Sequence, residues 1–121
     1  MTAPRDQPPV PLSSVRPWGD FVQLCSGEPV TVKVMTVQPG QRLSLQRHAA
    51  RSEYWLVLDD GLQAWVDDVA VPSSRGQTVW VPCGATHRLG NIGSEPGRVL
   101  EVAFGEFDED DIERLDDDYA R

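Results

Sequence analysis

Short runs of apolar or alternating residues, separated by turn residues, follow one another along most of the chain. Runs of this length and period are typical of β-strands rather than helices. The pattern predicts eight strands, at residues 20–24, 29–37, 42–48, 53–58, 62–66, 77–82, 86–89 and 98–104. Eight short strands favour an all-β fold, either a closed barrel or a sandwich.

The two ends of the chain differ from this strand pattern. Four prolines within residues 1–15 predict a flexible, extended arm. One short helix is predicted at about residues 108–115, where Asp108 can cap the first turn and the acidic side chains at 109–111 lie at the positive end of the helix dipole. The length of 121 residues fits one domain. We therefore predict an arm, a barrel over residues 16–105 and an acidic helical segment over residues 106–121.

Composition and charge exclude several partners. The net charge is −8, and it is concentrated in residues 106–121, which hold nine acidic residues and two arginines. This charge repels phosphate backbones and anionic lipid surfaces, so we expect no nucleic-acid partner and no membrane partner. No apolar run reaches the roughly 20 residues of a membrane-spanning helix, and the N-terminus lacks an apolar signal core, which predicts a cytoplasmic location.

Both histidines of the chain lie near other groups that can bind a metal ion. In the first segment Gly40 is followed by five residues, then by Gln46, His48 and, after four more residues, Glu53. Side chains two apart share one face of a strand, so Gln46 and His48 point the same way. In the second segment, Gly76 and five residues precede a P-x-G-x-x-H-x-x-x-N string at residues 82–91.

Together these segments resemble the two cupin motifs, with Gln46 at the position where the first histidine usually stands. The resemblance implies a small jelly-roll barrel, the double-stranded β-helix, whose mouth holds one divalent metal ion. Two imidazoles, a carboxylate and an amide oxygen suit Zn, Mn, Fe, Co or Ni and leave room for water or substrate. Two alternatives stay open: histidines that only pack or hydrogen-bond in the barrel, and a cupin that has lost its metal.

Longer strings resemble the type II phosphomannose isomerases. They are RPWG at 16–19, VKV at 32–34, PGQRLSLQRHAARSEYW at 39–55, VPCGATHRLGNIG at 81–93 and EDDIERLDDDYAR at 109–121. In that family this region is the isomerase domain of bifunctional enzymes that also carry a mannose-1-phosphate guanylyltransferase domain. The nucleotidyltransferase part is absent from this sequence, so GDP-mannose synthesis is not expected of it.

The resemblance implies a metal-dependent isomerase that interconverts mannose 6-phosphate and fructose 6-phosphate. Carried over by position, the metal ligands are Gln46, His48, Glu53 and His87. A sugar phosphate is the expected small-molecule partner. We also expect a homodimer, because cupin barrels often pair through exposed edge strands.

Two further residues are candidates for catalysis. Arg51 matches the catalytic arginine of the family and can hold charge on the phosphate or the enediolate; its alternative is a structural salt bridge to Glu53. Glu101 alternates with Val99 and Ala103 on one strand face and is the candidate proton carrier. The alternative for Glu101 is a structural ion pair.

Substrate-binding candidates are Lys33, Trp55 and Arg88. The two cations can bind phosphate or lie on the solvent side of their strands. Trp55 points inward if Glu53 does, and its face can then meet a sugar ring.

Besides Gln46 and Asp60, which stands where a glycine is usual, four more positions depart from the family pattern and keep other functions open. They are Ala49, Ala50, Tyr54 and Ala103, where polar side chains are usual. Their loss favours a non-catalytic sugar or sugar-phosphate binding cupin as the second hypothesis. The third is an iron-dependent oxygenase, since two histidines and one carboxylate can form a facial triad.

Overall fold

The computed structural model describes residues 2–119, which form β-strands and connecting loops without any helix. The strands in chain order are β1 (Leu12–Arg16), β2 (Gly19–Gln23), β3 (Val30–Val37), β4 (Leu45–Arg47), β5 (Arg51–Val57), β6 (Leu62–Val66), β7 (Val69–Val71), β8 (Thr78–Val81), β9 (His87–Asn91), β10 (Gly97–Gly105) and β11 (Glu113–Asp116). The described residues are therefore all-β, as predicted.

Two antiparallel sheets pack against each other around one apolar core. One has the order β3-β10-β5-β8 and the other β11-β4-β9-β6-β7, while β1 and β2 form a separate hairpin. Both large sheets contribute to the buried core, which consists of Val37, Trp55, Val57, Leu62, Ala64, Val79, Val81, Leu89 and Val99. Burial of these side chains is the main force that holds the sheets together.

Strand register places a polar layer next to this core. In the β5–β10 pair, Glu101 lies opposite Trp55 and Ala103 opposite Glu53. Residues that pair across antiparallel strands share a face, so all four side chains point between the sheets. The alternate residues of the same strands, such as Tyr54, pack in a second cluster on the outer face.

Each of the eight predicted strands corresponds to an observed strand, with shifts at the ends. Three observed strands, β1, β7 and β11, were not predicted. β7 has only three residues and follows a tight turn at Asp67 and Asp68, whose φ angles are 49° and 63°. Asp tolerates this left-handed conformation, which suits a two-residue hairpin turn.

The predicted helix at residues 108–115 is wrong. A turn closed by the Asp111 amide and the Asp108 carbonyl is followed by β11, which pairs with β4. Hydrogen bonds and ion pairs to the barrel stabilise the extended form. One example is the ion pair between Arg47 and Glu113 at 2.8 Å. Tertiary contacts therefore override the capping and dipole pattern that favoured a helix.

The predicted arm is partly docked. β1 begins at Leu12, inside the range predicted as arm, and pairs with β2. Closer to the N-terminus, the Arg5 amide donates to Ser52 Oγ at 3.1 Å and its guanidinium pairs with Glu28 at 2.9 Å. Residue 1 of the arm and residues 120–121 of the acidic segment lie outside the described residues.

β3 lies at one edge of its sheet and exposes Val32 and Val34 on its outer face. An exposed edge of this kind can pair with a second chain. The homodimer stays a prediction that the mass in solution would test. Among residues 2–119, no helix has the length and apolar character needed to cross a membrane.

Candidate metal centre

Donor atoms of His48, Glu53 and His87 converge between the two sheets. His48 Nε2 lies 3.5 Å from Glu53 Oε2, and His87 Nε2 lies 3.6 Å from Glu53 Oε1. One ligand atom from each residue can be chosen so that all lie within 4.8 Å of one another. All three side chains are at most 2% exposed.

This spacing fits a metal ion. Two ligands bound at about 2.1 Å with tetrahedral angles lie about 3.4 Å apart, close to the separations of the histidine and glutamate donors. Two imidazoles and one carboxylate are also the donor types that zinc and its transition-metal neighbours accept. The residues of this structure therefore fit a divalent ion.

Gln46 reaches the same point from β4. Its Nε2 lies 3.4 Å from His48 Nε2 and 3.5 Å from His87 Nε2, while its Oε1 accepts a hydrogen bond from Ser44 Oγ at 2.8 Å. A metal ligand must present the oxygen instead. A half-turn of the amide achieves this, and Nε2 then donates to the Ser44 hydroxyl, which can also accept. Gln46 as the fourth ligand stays a prediction.

Burial keeps both imidazoles neutral. Desolvation lowers the pKa of His87 to about 4 and also lowers the pKa of His48. Each Nδ1 lies near a carbonyl oxygen, at 2.6 Å for His48 and Asp111 and at 3.1 Å for His87 and Ala85. A proton on each Nδ1 satisfies these carbonyls and leaves both Nε2 lone pairs facing the centre, as metal binding requires.

Arg51 and Trp55 hold the Glu53 carboxylate from two sides. Arg51 Nε donates to Oε2 at 3.1 Å, and Trp55 Nε1 donates to Oε1 at 3.2 Å. The salt bridge considered as the alternative for Arg51 is thus present, but it lies inside the cluster, with Nη2 also 3.2 Å from His48 Nε2. Trp55 points inward as expected and is 1% exposed, so it offers no open face to a sugar in this conformation.

Glu101 lies beside this cluster in an unusual environment. Burial and then the charge of Glu53 raise the pKa of Glu101 to about 7. Its Oε2 has no hydrogen-bond partner within residues 2–119, although Lys33 Nζ lies 3.4 Å away. A buried carboxyl that is half ionised near neutral pH can both accept and release a proton.

The two cations predicted to bind substrate lie in different places. Lys33 is opposite Glu101 on β3, and its Nζ lies 5.1 Å from the centre of the Phe107 ring. Arg88 follows His87 on β9 and therefore points to the other face, where Nε donates to the Leu43 carbonyl and Nη1 pairs with Asp116 at 3.1 Å. The structure brings Lys33 to the cluster and does not bring Arg88 there.

The sequence of this chain matches a known protein family. Residues 5–117 match the family model described as "Mannose-6-phosphate isomerase C-terminal". The chain belongs to this family. The alginate biosynthesis protein AlgA of Pseudomonas aeruginosa is 42% identical over 107 residues, which cover 88% of this chain and 22% of that protein. Mannose-1-phosphate guanylyltransferase ManC of Salmonella typhimurium is 36% identical over 107 residues, with the same coverage.

The chain thus spans less than a quarter of the length of these two curated relatives. Among solved structures, a Cupin 2 conserved barrel domain protein from Salinispora arenicola aligns with a TM-score of 0.57 and 22% identity, covering 63% of each chain. This likeness confirms the cupin fold predicted from the two histidine segments.

Two residues that contact the cluster were not predicted as site residues. Phe107 covers the Arg51 guanidinium at 4.4 Å from the ring centre, and Asp111 accepts the His48 hydrogen bond. Asp111 stands in the EDDI string that supports the family resemblance, but its partner is 63 residues away. No spacing rule in the sequence connects these positions.

Proposed function

We propose that this chain is a metal-dependent sugar-phosphate isomerase domain that interconverts mannose 6-phosphate and fructose 6-phosphate. The convergence of His48, Glu53 and His87 donors within 4.8 Å, inside a member of this family, is the observation that carries the proposal. The ion would be held by these three side chains and by the amide oxygen of Gln46. When bound, it would supply a Lewis acid for negative charge on the substrate oxygens at C1 and C2.

Glu101 is the proposed proton carrier. Its carboxyl lies beside the Glu53 carboxylate, and its pKa of about 7 keeps both protonation states populated near neutral pH. In the aldose-to-ketose direction, Glu101 accepts the proton from C2 and returns it to C1, while the hydroxyl proton of O2 passes to O1, so the carboxyl ends in its starting state. The register of Glu101 opposite Trp55 directs its carboxyl between the sheets, on the side of the proposed metal ligands.

Arg51 and Lys33 are the proposed anion-binding residues. Both guanidinium and ammonium lie against the Phe107 ring, and both pair with buried carboxylates. Arg51 Nη2 lies 3.2 Å from His48 Nε2 here, and if that nitrogen held the metal ion, this end of the guanidinium would be available to the substrate. Arg88 is directed at Asp116 instead, and any contact of Arg88 with a substrate phosphate would require that pair to open.

The direct test is incubation of metal-loaded protein with mannose 6-phosphate. We expect fructose 6-phosphate to appear with the wild-type protein. The His87→Ala protein should form no product. Glu101→Gln, which keeps the size of the side chain but cannot carry the proton, should bind the metal and lack turnover. Absence of product with every divalent ion tried would contradict the proposed reaction.

A non-catalytic sugar or sugar-phosphate binding cupin is the second candidate, and Ala103 is the observation that favours it. Ala103 lies opposite Glu53 on the inner face, at a position where the family resemblance implies a glutamine. The site therefore lacks one polar group next to a proposed metal ligand. Saturable binding of mannose 6-phosphate measured by calorimetry, with the substrate recovered unchanged, would support this candidate.

A further inference from the structure

Two residues of the acidic segment that follows β10, Phe107 and Asp111, lie against the metal centre. The chain leaves β10 at Gly105, whose φ is +109° and where a Cβ would collide with the Ala50 carbonyl. From there the chain passes Phe107, which covers Arg51, and reaches Asp111 before β11 begins. This course brings residues 107–111 over the loop that carries His48.

Asp111 binds that loop in two ways. Its carbonyl oxygen lies 2.6 Å from His48 Nδ1. Its carboxylate accepts hydrogen bonds from the amides of Ala49 at 2.8 Å and Ala50 at 2.9 Å, and these bonds lower the pKa of Asp111. One residue therefore fixes both the ring of His48 and the backbone that follows it.

His48 needs this support because it lies outside any strand. β4 ends at Arg47 and β5 begins at Arg51, so residues 48–50 form a short connecting loop with a bend at Ala49 and Ala50. A hydrogen bond at Nδ1 fixes both the ring orientation and the tautomer, which decides whether Nε2 carries a lone pair. The contact from Arg51 Nη2 to Nε2 agrees with a lone pair at that nitrogen.

Ion pairs with arginines on and near β4 and β9 hold the segment in place. Arg47 pairs with Glu113 at 2.8 Å, and Arg88 pairs with Asp116 at 3.1 Å. Further along, Arg42 binds Asp118 through Nε at 2.7 Å. Three of the nine acidic residues that the sequence concentrates at this end are thus paired with arginines on the barrel.

We propose that Asp111 is a positioning residue of the metal centre, which holds His48 with Nε2 directed at the ion and so makes metal affinity depend on the acidic segment. The inference rests on the metal centre of the proposed function. It adds no metal ligand, but it extends the site to a residue 63 positions from the ligand it supports.

The test compares cobalt(II) binding, followed by visible absorption, in wild-type protein, Asp111→Ala and Asp110→Ala. The last is a matched control, because it removes the same charge from the same segment at a neighbouring exposed residue. Asp111→Ala keeps the carbonyl that contacts His48 but removes the carboxylate that holds this carbonyl against the loop. Loss of an outer partner of a metal ligand weakens binding by about 10- to 100-fold, and we expect a loss of this order for Asp111→Ala only, because the carbonyl is then no longer fixed at His48. Long-range proton–nitrogen spectra of the metal-free proteins should show altered ring signals for His48 and unchanged signals for His87.

Equal cobalt affinity in wild-type protein and Asp111→Ala would overturn the inference. So would a loss of affinity with equal changes at His87, because that pattern indicates a general structural effect. If Asp111→Ala fails to fold, Asp111→Asn takes its place, since its amide keeps one of the two acceptor oxygens. A wild-type protein that binds no cobalt would contradict the metal centre itself, and the inference with it.

Discussion

The two imidazoles of the metal centre are held by different kinds of structure. His87 lies within strand β9, and its Nδ1 contacts the Ala85 carbonyl, two residues earlier. His48 lies in a loop after β4, and its Nδ1 contacts the Asp111 carbonyl, 63 residues later. A strand with one face in the core can orient a ligand by itself, whereas a ligand in a loop depends on a distant partner.

Glu53 lies between these two regions, and its replacement should have the largest effect. Glu53→Gln removes the negative charge that lies 3.5 to 3.6 Å from both imidazole nitrogens. We expect cobalt affinity to fall by more than the roughly 100-fold limit typical of outer partners, because a charged ligand is lost. Glu106→Gln makes the same chemical change at an exposed position and should bind cobalt as the wild-type protein does.

Amide hydrogen exchange can compare the two regions directly. The amides of Ala49 and Ala50 donate to the Asp111 carboxylate, while the amide of Asn91 at the end of β9 donates to the Gln41 carbonyl. Salt at 1 M shortens the screening length to about 3 Å and weakens the exposed ion pairs of the acidic segment. We therefore expect salt to speed exchange at Ala49 and Ala50 and not at Asn91. Equal acceleration at all three would contradict the proposed difference.

The strand-built region, with His87 and Glu53, is also the part that the sequence predicted best. A period of two along β5 already directs Glu53 and Trp55 to the same face, and the structure shows both pointing inward. The motif spacing on either side of His87 identifies the turn before β9. Local patterns suffice here because the strand itself determines where each side chain points.

The loop-built region was predicted only in part. The ligand candidate His48 was identified, but its partner Asp111 was assigned to a helix that the structure does not contain. Capping and charge favoured that helix, while the bonds that replace it join residues more than 60 positions apart. Arg88 shows the same limit, because sequence does not reveal that Asp116 would reach its guanidinium.

The pH dependence of stability tests the raised pKa of Glu101. In the folded metal-free protein the pKa of Glu101 is raised from 4.5 to about 7. Its contribution to stability is therefore fully present below about pH 4.5 and is lost as the pH rises to about 7. Denaturation of wild-type protein and Glu101→Gln across this range should show the variant gaining stability relative to wild type as the pH rises. A constant difference would contradict the raised pKa.

The smallest expected effect is that of the outermost ion pair. Arg47 and Glu113 are each about half exposed, and such pairs contribute little to stability. Arg47→Gln should leave the midpoint of urea denaturation almost unchanged and the cobalt affinity slightly lower. A loss as large as that expected for Asp111→Ala would mean that the ion pairs, rather than Asp111, determine the position of His48.

Metal content of the purified protein tests the central claim most directly. After dialysis against a divalent ion and then against metal-free buffer, elemental analysis by mass spectrometry should find one ion per chain in the wild-type protein. The His87→Ala protein should retain none, because one of the three convergent donors is gone. Wild-type protein without bound metal, or His87→Ala protein with as much metal as the wild type, would contradict the account.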